Sequence, residues 1–295
     1  MIIRKRVYTM SYRIVTDSTC DYTPEMKTWN NISSVPLQLQ LGDYKIMDDE
    51  NFDQADFIKR MKEYEDVPRS ACPSIDSWMR AYDCDEDEIF VITITSKLSG
   101  TYNSAVQAAS LFAEEKDANK KIHVFDGKAT SVKSTLIAQK IKELKDNGAS
   151  FEEVVEKITK YIDGIKLYFL LDSLENLRKN GRLSNLQASL LKALRVKLIC
   201  KETDANIEKL TQDVSIGRAA SKLAKIMNED MKQFDTSKMT FAISHCFCKE
   251  RAEKIINEAT QGTDVKETML LNMGGLNTLY ADEGGIIVAY DTYFI

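Results

Sequence analysis

Short runs of apolar and β-branched residues alternate with stretches whose apolar positions recur every three or four residues, almost from end to end of the chain. That alternation predicts α/β layers around a largely parallel sheet. Tyr12–Thr16, Ile89–Thr95 and Ile122–Phe125 read as strands, with helices over Phe52–Glu63 and Ser74–Tyr82 between the first two. Residues 129–147 read as a helix stopped by Asn147-Gly148. Ser150-x-x-Glu153 is a capping box opening a helix over 151–162, with Val154, Val155, Ile158 and Ile162 on one face. Gly164 ends that helix and Lys166–Leu171 begins a fresh strand. Further strands are predicted near 197–202, 207–213, 239–246, 265–272 and 285–291, and helices near 185–194, 216–234 and 249–260. The expected organisation is an N-terminal extension over 1–11, an α/β domain over 12–164 and a second α/β domain over 165–295.

At 295 residues the chain is about twice a typical ~150-residue domain, which agrees with that division. Forty basic against 45 acidic residues leave a net charge of −5, without the basic excess that gathers phosphate backbones, so nucleic acid is not an expected partner. No run reaches the ~18 apolar residues of a membrane span, and no apolar stretch follows the basic start Met1–Met10, so neither an integral membrane segment nor a signal peptide is expected. Six cysteines scattered at 20, 72, 84, 200, 246 and 248 fit reduced thiols in a cytoplasmic protein. His123 and His245 are the only histidines, too few for a three-His metal site, and the common nucleotide-binding, hydrolase and zinc-protease motifs are absent. His245-Cys246-x-Cys248 is half a zinc site at best and reads as the end of a strand. Asp83–Glu88 reads as a solvated turn, and no metal site is expected.

The chemistry concentrates where the strand at 89–95 gives way to a helix. Ser96-Lys-Leu-Ser99-Gly100-Thr101-Tyr-Asn-Ser-Ala105 stands at the carboxyl end of a predicted parallel strand, where a following helix offers unpaired N–H groups to an anion. On these residues alone an ordinary helix cap at Ser99 and a carboxylate or phosphate site are equal readings. Thr16-Asp17-Ser-Thr19 and Ser70-Ala-Cys-Pro-Ser74 add two hydroxyl-rich loops. Asp17 is the acid among them, and bracing its own loop is the simpler role. Arg182, after the Asn180-Gly181 turn, reaches either an anion or a carboxylate. Gly274-Gly275 and Glu283-Gly284-Gly285 bracket Tyr280.

These segments together resemble the DegV family of bacterial fatty-acid-binding proteins along nearly the whole chain from Tyr12. Ile14–Asp21 resembles that family's opening strand and loop, Ser70–Ser74 its T-S-Q-P-S segment, and Ser96–Ala105 its S-x-L-S-G-T-Y-x-S-A signature. Asp172–Ser184 resembles its D-x-L-x-x-L-x-K-G-G-R-I-S segment, and Met273–Tyr290 its closing segment. The resemblance implies a two-domain fold, with a Rossmann-like N-terminal α/β/α domain, a second α/β domain and a ligand tunnel at their interface. It implies a carrier, not an enzyme, that buries a long-chain fatty acid and presents its carboxylate to a fatty acid kinase for acyl-phosphate formation. No cofactor other than the bound lipid is implied, and transient contact with a membrane surface is compatible. Carried over by position, Ser70 and Ser99 hold the carboxylate, while Gly100, Thr101, Asp17, Arg182 and Tyr280 support the head group or the interdomain contact. Two departures stand out: Ala71-Cys72 replaces Ser-Gln, and Tyr280 takes a place where the family often has His. The alternative is a serine-dependent hydrolase or phosphotransferase, which needs a base within reach of Ser99.

Overall fold

The computed structural model describes residues 11–183 and 196–292. Residues 1–10, Ser184 and the helix expected near 185–194 lie outside the described residues. The first half runs β1 (Tyr12–Asp17), β2 (Ile32–Val35), β3 (Gln38–Leu41), β4 (Tyr44–Met47), α1 (Gln54–Glu63), β5 (Arg69–Ala71), α2 (Ile75–Tyr82), β6 (Glu88–Thr93), α3 (Thr101–Glu115), β7 (Lys121–Asp126), α4 (Val132–Asp146) and α5 (Phe151–Asp163). The second half runs β8 (Ile165–Leu171), α6 (Glu175–Lys179), β9 (Lys197–Thr203), β10 (Asn206–Asp213), α7 (Ile216–Met231), β11 (Thr240–His245), α8 (Lys249–Ala259), β12 (Glu267–Asn272), α9 (Gly275–Ala281) and β13 (Ile286–Asp291).

The first sheet has the order β2-β1-β6-β7 and every pairing in it is parallel. Its central strand β6 is buried at all six positions, as a strand covered by helices on both faces must be. On one face Val15, Ile89 and Val91 pack with Trp78 and Tyr82 of α2 and Ala105, Ala108 and Phe112 of α3. On the other, Ile14, Phe90 and Ile92 join the apolar faces of α4 and α5. The capping box at Ser150 forms in both directions, with Ser150 Oγ accepting from Glu153 N–H and Glu153 accepting from Ser150 N–H.

The second sheet, β10-β9-β8-β13-β11-β12, corrects the expectation of largely parallel pairing. Only β11 and β12 run parallel, and the other four pairings are antiparallel. A third sheet, β4-β3-β5, is an addition to the sequence reading. Its hairpin turns at Gly42, whose φ of +60° a side chain would resist. Ser70, expected in a loop, therefore sits on β5 opposite Leu39 of β3.

Helix α4 starts at Val132, three residues later than predicted, because Ser131 before it adopts φ +59°. It lies between the two larger sheets, against β1 and β6 on one side and β11 and β13 on the other. Leu136, Ile137, Ala138 and Ile141 are buried there in one apolar cluster shared by both sheets. Each such Leu or Ile contributes roughly 1.5–3 kcal/mol by leaving water.

The β9–β10 hairpin reaches from the second sheet toward the first. Its tip, Asp204-Ala205, has positive φ at both residues, the geometry of a tight two-residue turn. Thr95 Oγ1 donates to Ala205 O at 3.3 Å, and behind the tip Lys133 Nζ of α4 pairs with Glu202 Oε2 at 2.9 Å. Both members of that pair are largely buried, so the hairpin is fixed by a charge contact that water barely screens.

Candidate functional site

The loops after β1, β6 and β7 gather at the carboxyl edge of the first sheet, where open parallel sheets present ligand sites. They are laced together. Asp17 Oδ2 accepts from Ile94 N–H at 2.7 Å, Asp17 Oδ1 accepts from Thr19 N–H and Oγ1, and Ser131 N–H donates to Thr19 O. Asp17 thus spends its carboxylate on bracing, as the simpler sequence reading had it. Burial pushes its carboxyl up to about 6, against the lowering effect of those donors.

The closing segment docks onto this edge through two further acids. Asp48 accepts from Gly275 N–H at 2.6 Å, Leu276 N–H at 2.8 Å and Ser18 Oγ at 2.9 Å. Asp21 accepts from Gly274 N–H at 2.7 Å, from Asn277 Nδ2 at 3.0 Å and from Ser131 Oγ. The first turn of α9 would otherwise leave these N–H groups unpaired. Gln54 of α1 adds bonds from its amide to Met273 O and Thr278 Oγ1. Burial pushes the Asp48 carboxyl up to about 6 and raises that of Asp21.

So held, α9 turns Leu276, Asn277, Tyr280 and Ala281 toward a cavity that is partly open to solvent. Apolar walls come from Ile94 and Leu98 after β6, Phe169 and Leu171 of β8, Ile207 of β10 and Ile287 of β13, so both larger sheets and the hairpin contribute. The polar groups on its wall are few: Ser70, Ser99, Thr130, Asn277, Tyr280 and Arg182. Ser70 Oγ and Tyr280 Oη share a hydrogen bond of 3.0 Å. Ser99 Oγ lies 2.8 Å from Thr101 Oγ1 and accepts from Thr101 N–H at 3.3 Å, one residue before the cap position taken by Gly100. The strands bearing Ser70 and the loop bearing Ser99 abut, since a Cβ on Gly100 would lie 3.6 Å from Cys72 Sγ.

The structure therefore brings Ser70, Ser99, Arg182 and Tyr280 onto one cavity. Gly100 and Thr101 lie behind Ser99, and Asp17 lies behind the loops. Thr130 and Asn277, joined by a 2.8 Å bond from Thr130 Oγ1 to Asn277 Oδ1, are wall residues that the sequence reading missed. The signal for Thr130 was present, because it is a hydroxyl residue in the loop that follows β7, as Ser99 is in the loop that follows β6 at the same edge of the sheet. Neither histidine lines the cavity. His245 ends β11, with burial holding its imidazole below the usual range, and Cys246 meets Gln54 Nε2 at 3.7 Å while Cys248 Sγ donates to Gly285 O. Among the described residues no cluster of three or more His, Cys, Asp or Glu is placed to hold a metal ion, and no helix is long and apolar enough to cross a membrane.

The family model described as "Uncharacterised protein, DegV family" matches residues 11–291, which takes in the three hydroxyl loops, the hairpin and the closing segment. The chain belongs to the DegV family. A DegV domain-containing protein of Streptococcus pneumoniae strain R6 is 33% identical over 291 residues, covering 96% of this chain and 99% of its own length. Among solved structures, a DegV family protein from Ruminococcus gnavus crystallised with vaccenic acid is 36% identical with a TM-score of 0.90, covering 95% of this chain and 99% of that one. The Streptococcus pneumoniae Fatty Acid Kinase (Fak) B3 protein, loaded with linoleic acid, is 29% identical with a TM-score of 0.85 over 96% of this chain and all of its own. The DegV fold expected from the motifs is thus the fold observed. At the cavity of this DegV chain the hydroxyls of Ser70 and Tyr280 are paired with each other.

Proposed function

We propose that this DegV protein is a fatty-acid carrier whose cavity holds the acyl chain and whose hydroxyls hold the carboxylate. The observation that carries the reading is one apolar cavity with Ser70, Ser99 and Tyr280 on its wall. Hydroxyls donate to a carboxylate without themselves needing charge, so the head group is bound through hydrogen bonds and the tail through burial. Solved relatives with vaccenic and linoleic acid support the ligand class. In this reading residues 12–164 and 165–295 act as two domains that meet at the cavity. The six cysteines are free thiols, which supports a cytoplasmic setting.

The carrier reading is preferred over hydrolase or phosphotransferase chemistry at Ser99 because the nearby carboxylates are committed elsewhere. Asp17, Asp21 and Asp48 accept from backbone and hydroxyl donors inside the loops, and the Ser99 hydroxyl faces Thr101. Its product-forming step then belongs to a separate fatty acid kinase, to which the carrier presents the carboxyl end. The test is direct binding of delipidated protein to a fatty-acid series by calorimetry. Ser99→Ala should weaken binding roughly 10-fold or more, the value of a hydrogen bond to a charged group. Affinity should rise by up to ~0.8 kcal/mol per added CH₂ until the cavity is full. Unchanged affinity in Ser99→Ala, or turnover of acyl esters by the native protein alone, would overturn the reading.

A further inference from the structure

The polar groups on the cavity wall differ in what they can offer a ligand. Ser70 and Tyr280 share one hydrogen bond, as do Ser99 and Thr101, so each hydroxyl pair keeps one proton to give away. A carboxylate, which can only accept, is served by such groups. Thr130 and Asn277 are built the other way. Asn277 Nδ2 donates to Thr19 O at 2.9 Å and to Asp21 Oδ1 at 3.0 Å. A main-chain carbonyl can only accept, which fixes the amide with its nitrogen toward Thr19 and its Oδ1 toward Thr130. Across that 2.8 Å contact the proton must then come from Thr130 Oγ1. Both amide hydrogens and the threonine proton are thereby spent, and Thr130 Oγ1 has no further partner among the described residues. What the pair turns to the cavity is lone pairs alone.

Lone pairs serve neither part of a plain fatty acid. The ionised head repels them, and a hydrocarbon tail leaves them unpaired at the cost that attends any polar group kept from water. They match an O–H donor. Asn277 and Tyr280 stand three residues apart on α9, one turn of about 4.5 Å along the same face, so the acceptor pair borders the acyl chain within a few carbons of a head group at Tyr280. Ile94, Phe169, Leu171, Ile207 and Ile287 supply only apolar side chains to the wall, so a hydroxyl far along the tail meets no acceptor on them. We propose that the cavity takes acyl chains bearing a hydroxyl on the third carbon, with that hydroxyl donating to Thr130 Oγ1. The inference rests on the fatty-acid reading and narrows its ligand class. Asn277 is the positioning residue, because it holds the threonine proton and so turns the acceptor to the ligand.

Palmitate, each enantiomer of 3-hydroxypalmitate, and 16-hydroxypalmitate are the probes, titrated calorimetrically into the full-length delipidated protein. The native protein should bind one enantiomer of 3-hydroxypalmitate at least as tightly as palmitate and more tightly than the other enantiomer. It should bind 16-hydroxypalmitate about 10-fold more weakly, since that hydroxyl is buried with no acceptor. In Thr130→Val, which keeps the shape and removes the acceptor, the ratio of 3-hydroxypalmitate to palmitate affinity should fall about 10-fold, and Thr130→Ser should restore it. Thermal unfolding of both variants checks that the fold is retained, and the ratio itself is insensitive to a general loss of binding. A native protein that prefers palmitate over both enantiomers by about 10-fold, or a ratio unchanged in Thr130→Val, overturns this proposal and leaves the fatty-acid reading standing. Equal affinity for 3-hydroxypalmitate and 16-hydroxypalmitate places the acceptor elsewhere and overturns it likewise. Failure of every probe to bind overturns both.

Discussion

Adding one methyl group at Gly275 tests whether the closing helix is positioned as described. A Cβ there would lie 2.5 Å from Asp48 Oδ1, 2.7 Å from Leu39 Cδ1 and 2.8 Å from Asp48 Cγ. Neither neighbour can give way cheaply, since Leu39 is fully buried and Asp48 is tied to Gly275, Leu276 and Ser18. Relief requires α9 to withdraw by close to ~1 Å, because ordinary contacts of carbon begin near ~3.5 Å. That movement weakens the two N–H bonds to the Asp48 carboxylate, each worth roughly 1.5–3 kcal/mol, and any residual crowding adds about 1–3 kcal/mol. Gly275→Ala should therefore cost roughly 3–6 kcal/mol in urea unfolding. Fatty-acid affinity should fall at least ~10-fold in the fraction that remains folded, since Leu276, Asn277 and Tyr280 move together. Gly274→Ala is the control, with its nearest contact at 3.3 Å to Ser18 O, and should lose clearly less. A Gly275→Ala protein within ~0.5 kcal/mol of native stability would refute the argument that Asp48 fixes this helix.

Three other outcomes follow from the geometry. Tyr280→Phe should weaken fatty-acid binding by about 1–2 kcal/mol, one hydrogen bond, with an unchanged circular dichroism spectrum; equal affinity would place the phenol away from the head group. The Asp17 carboxyl stands at about 6 in the fold against 3.8 ordinarily, so the folded chain retains a proton that the unfolded chain releases. Its contribution is present below about pH 4 and lost as pH rises through 6, so native stability should decline relative to Asp17→Asn by roughly 3 kcal/mol between pH 4 and 7, and parallel urea-midpoint curves would contradict this. Lys133→Met removes the cation paired with the largely buried Glu202 and should cost about 3–5 kcal/mol, while adding Glu202→Gln should recover most of it; additivity of the two in a double-mutant cycle would show that the pair does not hold the hairpin.

What could be read from the sequence followed from how local each signal is. Three of the four parallel strands of the first sheet carry apolar or β-branched runs, most plainly β6, and the Ser150 capping box is written within four residues, so these appear close to where expected, whereas β2, Ile-Ser-Ser-Val, has no such run and was missed. The third sheet escaped notice because Gln38–Leu41 and Tyr44–Met47 alternate over only four residues each, too short to stand out from a loop. Strand direction in the second sheet was misjudged for another reason: side-chain alternation is identical in parallel and antiparallel strands, and direction depends on connections. At the site, Ser70, Ser99, Arg182 and Tyr280 were legible through ordered motifs, and the cavity brings them together. The work of Asp21 and Asp48 was not, because their partners at Gly274 and Gly275 lie 253 and 227 residues away along the chain. No spacing rule connects positions so remote.

The placement of α4 has a consequence for how the protein is made. The helix is complete at Asp146, yet β11 and β13, which cover one of its sides, end at His245 and Asp291. At a synthesis rate of about 5–20 residues per second, some 145 further residues take roughly 7–30 s to leave the ribosome. For that interval Leu136, Ile137 and Ile141 belong to a helix with half its apolar surface uncovered, attached to a first sheet that is otherwise ready to form. The nascent chain is thus a natural client for whatever shields hydrophobic surface at the tunnel exit, and a pause in translation before β11 prolongs the exposure.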